Sequence, residues 1–280
     1  MDIGLTEEQV ALRDVVRTYA RRELAETYLE RARVPKFPWA EHRQVADLGV
    51  LGLLAGEEWG GSAELDYVAC GVAMEELAYA DFNIANCVLP PLIISSILRE
   101  HGSEEQKERW LPPLVAGESM VALGLTEPDS GSDAAAMRTV AERTATGWRL
   151  DGEKTSITAI PFAEAAVIFA RTDKSWGAGG VSAFLVPLDL DGITMGAIAD
   201  PGWLPVGRGT ISMSGVELPA SALIGTEGDG FRTVMRNFDF TRPLLALTAI
   251  GAAQATLDET VEHVRRRPAF GSTLSRFEGI

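Results

Sequence analysis

Apolar positions repeat with a helical period up to about Met120, give way to short strand-like runs up to about Gly225, and become helical again after Gly228-Asp229-Gly230. Thr6 and Gln9 have the spacing of a reciprocal N-terminal cap, and Leu12, Val15, Val16, Tyr19 and Ala20 then recur on one face. Pro38 opens a second helix through Val45 and Leu48, which Gly49 ends. A third is expected from about Leu65 to Tyr79. A fourth carries Ile93, Ile94, Ile97 and Leu98 and stops near His101-Gly102. Ser103 then caps a short helix, with Gln106 three residues on, ahead of Pro112-Pro113. In the middle, the runs 121–123, 148–150, 167–170, 182–186 and 210–213 read as strands, with Thr146-Gly147, Asp151-Gly152 and Asp191-Gly192 as turns between them. Leu244, Leu247, Ile250, Ala253 and Leu257 mark the last helix. The expected fold is α+β. It has an N-terminal all-α domain (1–117), a middle antiparallel β-barrel or sandwich (118–226), and the beginning of a C-terminal helical bundle (227–280).

Composition narrows the function classes. The formal net charge of −15 repels phosphate backbones and anionic lipid, which argues against nucleic acid and membrane as partners. No apolar run is read as long enough to cross a bilayer, and the polar, acidic stretch from Met1 to Glu8 is unlike a secretory signal. The cytoplasm is the expected compartment. Cys70 and Cys87 lack metal or redox spacing and read as reduced core or helix-face thiols. His42, His101 and His263 are far apart and read as surface or helix-end residues, so no metal site is expected. There is no dinucleotide fingerprint, P-loop or nucleophile elbow.

The segment Leu125-Thr126-Glu127-Pro128-Asp129-Ser130-Gly131-Ser132-Asp133 follows the first strand-like run. Pro128 blocks further strand pairing and Gly131 permits a tight turn. Hydroxyls and N–H groups at Thr126, Gly131 and Ser132 suit a phosphate. On pattern alone, a plain polar hairpin and a ligand loop fit equally well. The segment resembles the Thr-Glu-Pro-x-Ala-Gly-Ser-Asp signature of the acyl-CoA dehydrogenase family. The resemblance continues, in order, at 102–114, at Asp151-Gly152-Glu153-Lys154-Thr155-Ser156-Ile157-Thr158, and at Glu227-Gly228-Asp229-Gly230-Phe231. It extends to Asp239-Phe240-Thr241-Arg242-Pro243 and Arg267-Pro268-Ala269-Phe270-Gly271.

The resemblance implies FAD bound between the middle and last domains. Leu125 and Thr126 would lie along the isoalloxazine, with Ser156 beside them and Thr158 near flavin N5. Gly131 and Ser132 would hold the pyrophosphate, and Ser132, Asp239 and Arg242 would meet the substrate. Arg267 and Phe270 would reach the FAD of a neighbouring subunit, which implies a homo-oligomer, dimer or tetramer. The implied reaction is α,β-dehydrogenation of an acyl thioester carried by CoA or a carrier protein. The Cα proton goes to a carboxylate, the Cβ hydride goes to flavin N5, and an electron-transfer flavoprotein is the acceptor.

Three departures stand out. The family's usual catalytic Glu lies beyond the point where this chain stops, and Thr241 stands at the alternative position for the base, so no catalytic residue is assigned. An incomplete chain, a half-enzyme subunit, and an oxidase or monooxygenase on the same fold are therefore the competing readings. Ser156 stands where many members have an aromatic residue, and Ala159-Ile160 where Asn-Gly is usual. Ile84, Val88 and Leu92 could line an acyl channel, although core packing explains them equally well.

Overall fold

A computed structural model describes residues 4–173 and 177–279; the first three residues of the acidic N-terminus lie outside that range. The reciprocal cap of Thr6 and Gln9 starts α1 (Glu7–Tyr19). Leu12, Val16, Tyr19 and Ala20 pack inward, while Val15 points to solvent. Irregular helical turns lead through Ala20–Leu24 and Ala25–Thr27 into the short α2 (Tyr28–Ala32). α3 (Trp39–Asp47) follows Pro38 and is closed by Gly49. Asp66 caps α4 (Tyr67–Ala80), and Asp81 caps α5 (Phe82–His101) by accepting from the N–H groups of Asn83 and Ile84. Ser103 and Gln106 form a capping box at α6 (Glu104–Val115), which runs through Pro112-Pro113 instead of stopping before them. Its buried face of Trp110, Leu111 and Leu114 carries it past the two missing donors.

α5 corrects the sequence reading on membranes. Its 20 residues are long and apolar enough to cross a bilayer by length and composition, but 78% of its apolar window is buried inside the protein. Its apolar side chains join those of α1, α3 and α4 in one core. His42 is a second correction: it is fully buried in α3, not on the surface or at a helix end.

The middle of the chain forms β1 (Val121–Gly124), β2 (Val140–Arg143), β3 (Gly147–Thr158), β4 (Ala165–Arg171), β5 (Val181–Pro187), β6 (Ile193–Ala197), β7 (Arg208–Pro219) and β8 (Leu223–Ile224). The sheet order is β6-β7-β3-β2-β4-β5-β8, with β1 beside β4. The sheet is mixed, not purely antiparallel, because β1 runs parallel to β4 from Val121↔Ala165 to Gly124↔Ile168. β4 and β5 are buried along almost their whole length, which explains their unbroken apolar runs. Val167 and Phe169 face α5 and α6. Ala166, Ile168 and Phe184 face the opposite way, onto Trp148, Leu150, Ile211 and Val216 of β3 and β7. Trp148 meets Phe184 edge-on at 5.1 Å, so the sheet curls over its own core.

Two irregularities in the β3–β7 ladder shape the site. Asp151-Gly152 is not a turn between strands. It lies inside β3, opposite a bulge in β7 where Gly215 donates its N–H to Asp151 Oδ1 at 2.7 Å. Gly152 has φ +146°, and a Cβ there would come within 2.6 Å of Thr139 Oγ1. The second irregularity lies between Lys154 and Ile157, where β3 carries one residue more than β7 and so lifts Thr155 and Ser156 off the ladder. A 37-residue helix, α7 (Gly230–Arg266), then runs back along α4 and α5. A small hairpin, β9 (Pro268–Ala269) and β10 (Ser272–Thr273), follows it.

Candidate functional site

β1 emerges at Leu125 into a tight turn in which Glu127 and Ser130 exchange backbone hydrogen bonds of 2.9 and 3.1 Å. The Glu127 side chain holds this turn from below. It is 5% exposed and accepts from the backbone N–H of Arg138 at 2.6 Å, the N–H of Thr139 at 2.9 Å and the ammonium of Lys154 at 2.8 Å. Lys154 is fully buried on β3 and also donates to the Leu125 carbonyl at 3.1 Å. Burial pulls the Lys154 ammonium down to about 8, with Glu127 opposing that shift. Burial alone would raise the Glu127 carboxyl; hydrogen bonds from Arg138, Lys154 and Thr139 hold it below its ordinary value. The N–H of Thr155 reaches the Thr126 carbonyl at 2.9 Å. The turn, the strand bulge and the buried ion pair are therefore one rigid unit.

This unit forms one wall of a cavity of about 380 Å³. Leu125, Thr126, Gly131, Ser132, Thr155, Ser156 and Thr158 line it from the β side, and Leu89, Pro90 and Ile93 of α5 from another. Phe231, Met235, Phe238 and Arg242 close it from successive turns of α7. On α5 the sequence reading named Ile84, Val88 and Leu92 instead of Leu89, Pro90 and Ile93, and it assigned no role to Lys154 or to the α7 apolar residues Phe231, Met235 and Phe238. The Phe231, Met235, Phe238, Arg242 spacing was a helix-face signal that could have pointed to them.

Six of the residues expected at the cofactor (Leu125, Thr126, Gly131, Ser132, Ser156 and Thr158) therefore share one cavity with Arg242. Asp239 does not join them. Its carboxylate is exposed and lies 3.8 Å from Arg242, because it projects to one side of the α7 face that carries Phe238 and Arg242. Ile84, Val88 and Leu92 are core residues; the cavity takes the neighbouring α5 face instead. Thr241 is buried and does not line the cavity. Arg267 and Phe270 follow α7, about 35 Å along the helix from Arg242 at 1.5 Å per residue. Phe270 is 97% exposed, and its ring stands edge-on to Phe277 at 6.1 Å between ring centroids.

The wall chemistry fits a flavin nucleotide. The α5 and α7 side is apolar except for Arg242, as a flat aromatic ring system requires. The β side presents the hydroxyls of Thr126, Ser132, Ser156 and Thr158, and a methyl group placed on Gly131 would meet no atom within 4 Å. A phosphate can approach that backbone unobstructed.

Family comparisons match this architecture along the chain. The acyl-CoA dehydrogenase N-terminal, middle and C-terminal domain models match residues 6–118, 122–216 and 228–280. A mitochondrial short-chain specific acyl-CoA dehydrogenase from Sus scrofa is 35% identical over 281 residues, covering 99% of this chain and 68% of that protein. The CarC subunit of the caffeyl-CoA reductase–Etf complex from Acetobacterium woodii is 34% identical, covering 98% of this chain and 73% of its own length. The glutaryl-coenzyme A dehydrogenase glutaryl-CoA complex superposes with a TM-score of 0.95 at 29% identity, covering 99% of this chain and 71% of that one. The FAD complex of PigA superposes with a TM-score of 0.92 at 26% identity, covering 99% and 73%. With the three domain models matched in order, this chain belongs to the acyl-CoA dehydrogenase family and is an oxidoreductase that uses FAD.

Proposed function

We propose that the protein removes two hydrogens across Cα–Cβ of an acyl thioester bound in the cavity between α5, α7 and the Leu125–Ser132 turn. The observation that carries this reading is the shape of that cavity, which has one helical side that is apolar except for Arg242 and one hydroxyl-bearing β side joined by a turn with an open glycine. FAD held there would supply the hydride acceptor that the reaction needs. Leu125 and Thr126 would position its ring system, and Thr158 would donate from the far end of β3. Gly131 and Ser132 accommodate the pyrophosphate.

Phe231, Met235 and Phe238 exclude water from the reacting carbons and set the plane of the acyl chain. Arg242 faces the thioester end, where the cofactor and CoA are both anionic. Among the described residues that line the cavity, none is a carboxylate and Arg242 is the one charged side chain. The Cα proton needs a carboxylate desolvated enough for its pKa to approach the working pH. Phe270 and Arg267 stand clear of their own cavity, as residues reaching a second copy's cofactor would. The physiological acceptor is an electron-transfer flavoprotein, the partner named for the CarC relative.

The test is anaerobic titration of the purified chain with FAD and then with acyl-CoA esters of graded length. We expect one FAD per chain and a change in its visible spectrum with at least one saturated acyl-CoA. Failure to retain FAD would overturn the reading, and indifference of bound FAD to every thioester would overturn its substrate half. Gly131→Val gives a sharper check on the turn. Its added atoms enter open space, so the unfolding free energy should stay within about 0.5 kcal/mol of the parent. FAD affinity should fall at least roughly tenfold, about 1.4 kcal/mol, because those atoms occupy the phosphate approach.

A further inference from the structure

Ser156 is held in an unusual state. The extra residue between Lys154 and Ile157 lifts it off the ladder, its φ is +57°, and it lines the cavity. A non-glycine residue in the left-handed region persists only where its surroundings over-determine it. The second constraint is Arg208 on β7, the cross-strand partner of Thr158. Its Nη1 donates to Ser156 Oγ at 3.3 Å. Its other two nitrogens are taken by the Asp200 carboxylate: Nε to Oδ2 at 2.9 Å and Nη2 to Oδ1 at 2.5 Å. Arg208 itself does not line the cavity.

The hydroxyl of Ser156 has one proton to give. Its oxygen is occupied by the guanidinium, which repels that proton, and no acceptor for it is found among the described residues. The proton is therefore turned away from Arg208, toward the open space that this exposed side chain lines. Because Asp200 neutralises Arg208, the guanidinium acts as a rigid hydrogen-bond fork and not as a net cation.

We propose that Asp200, Arg208 and Ser156 form a relay that aims the Ser156 hydroxyl as a hydrogen-bond donor at the flavin, with Arg208 as a positioning residue that never touches the cofactor. The relay replaces contact with an aromatic ring by a directed polar contact at this edge of the site. It rests on the FAD placement proposed above.

The experiment measures the FAD dissociation constant and the visible spectrum of the bound flavin for the full chain, Ser156→Ala, Arg208→Gln, Arg208→Lys and the Ser156→Ala/Arg208→Gln double variant. Ser156→Ala should weaken FAD roughly three- to tenfold, the range of one neutral hydrogen bond, and shift the flavin bands. Arg208→Gln should produce a loss and a spectral shift in the same direction. The double variant should be no weaker than Ser156→Ala alone, because Arg208 acts only through that hydroxyl. Arg208→Lys keeps a cation for Asp200 but has no planar fork to span both partners, so it preserves the fold and should still show the loss. A parent chain that retains no FAD would overturn the placement on which the relay depends. A parent that retains FAD, with Arg208 variants indistinguishable from it or losses that add in the double variant, would overturn the relay alone.

Discussion

Replacing Glu127 by alanine is expected to lower the unfolding free energy by about 3–5 kcal/mol, the cost of breaking a buried ion pair from one side. Three donors lose their acceptor at once: the N–H groups of Arg138 and Thr139 and the fully buried ammonium of Lys154. Lys154 keeps only the Leu125 carbonyl and a long contact to Met137 Sδ at 3.8 Å, neither of which neutralises it. The stranded charge makes this variant worse than removing both partners. Glu127→Ala/Lys154→Met should recover part of the loss, giving a clearly non-additive cycle. The functional effect should exceed the stability effect, because the same contacts hold Leu125 and Thr126 in the cavity wall. FAD retention should fail even at temperatures where the variant remains folded. Urea midpoints at constant slope and a parallel FAD titration measure both. A stability change below about 1 kcal/mol would show that the turn stands without its buried anchor.

The difference between Glu127 and Thr126 also explains what could be read from sequence. Capping boxes, the Gly49 stop and the apolar runs of β4 and β5 depend on residues close in the chain, and they formed where the pattern put them. The turn was legible for the same reason, since its proline, glycine and hydroxyls are contiguous. Its anchor was not, because Lys154 comes from β3 and nothing local marks that lysine as buried. The same reasoning covers the misread Asp151-Gly152, which has the composition of a turn but sits opposite a bulge contributed by β7. Proline is equally context-dependent: α5 holds Pro90-Pro91 and α6 holds Pro112-Pro113 within continuous helices whose packed faces outweigh the missing donors. At the candidate site, the β half was readable from motifs, whereas on the helical half only Arg242 was. α5 presents Leu89, Pro90 and Ile93 to the cavity, one position away from the Val88 and Leu92 that pack into the core. An all-apolar helix offers no polar face by which to choose between them.

His42 provides the second large effect, and it appears with pH. The imidazole is fully buried between Phe37, whose ring centroid is 5.2 Å away, and Trp39 at 5.9 Å, and neither of its nitrogens has a hydrogen-bond partner among the described residues. Burial, aided by the nearby Arg43 charge, pushes its pKa down from 6.5 to about 4. An unfolded chain therefore takes up a proton below about pH 6.5 that the folded chain refuses until about pH 4. Stability from this group is fully present above pH 6.5 and falls as the pH drops through that window. One pKa unit corresponds to 1.36 kcal/mol, so the loss by pH 4 is about 3 kcal/mol. The affected layer is not remote from the flavin cavity. Phe37 also packs on Phe162 at 5.6 Å, and Ala159, which directly follows Thr158 of the cavity wall, belongs to the same cluster. Acid should therefore loosen this end of the cavity and release FAD before the sheet unfolds. Surface carboxylates also titrate here, so the measurement is the difference between the parent and His42→Phe. Urea-derived stabilities at pH 7 and pH 4 should diverge by about 3 kcal/mol, with the phenylalanine variant the more acid-resistant. Parallel pH profiles for the two chains would mean that the buried imidazole finds a proton-accepting partner, and that acid release of FAD must begin elsewhere.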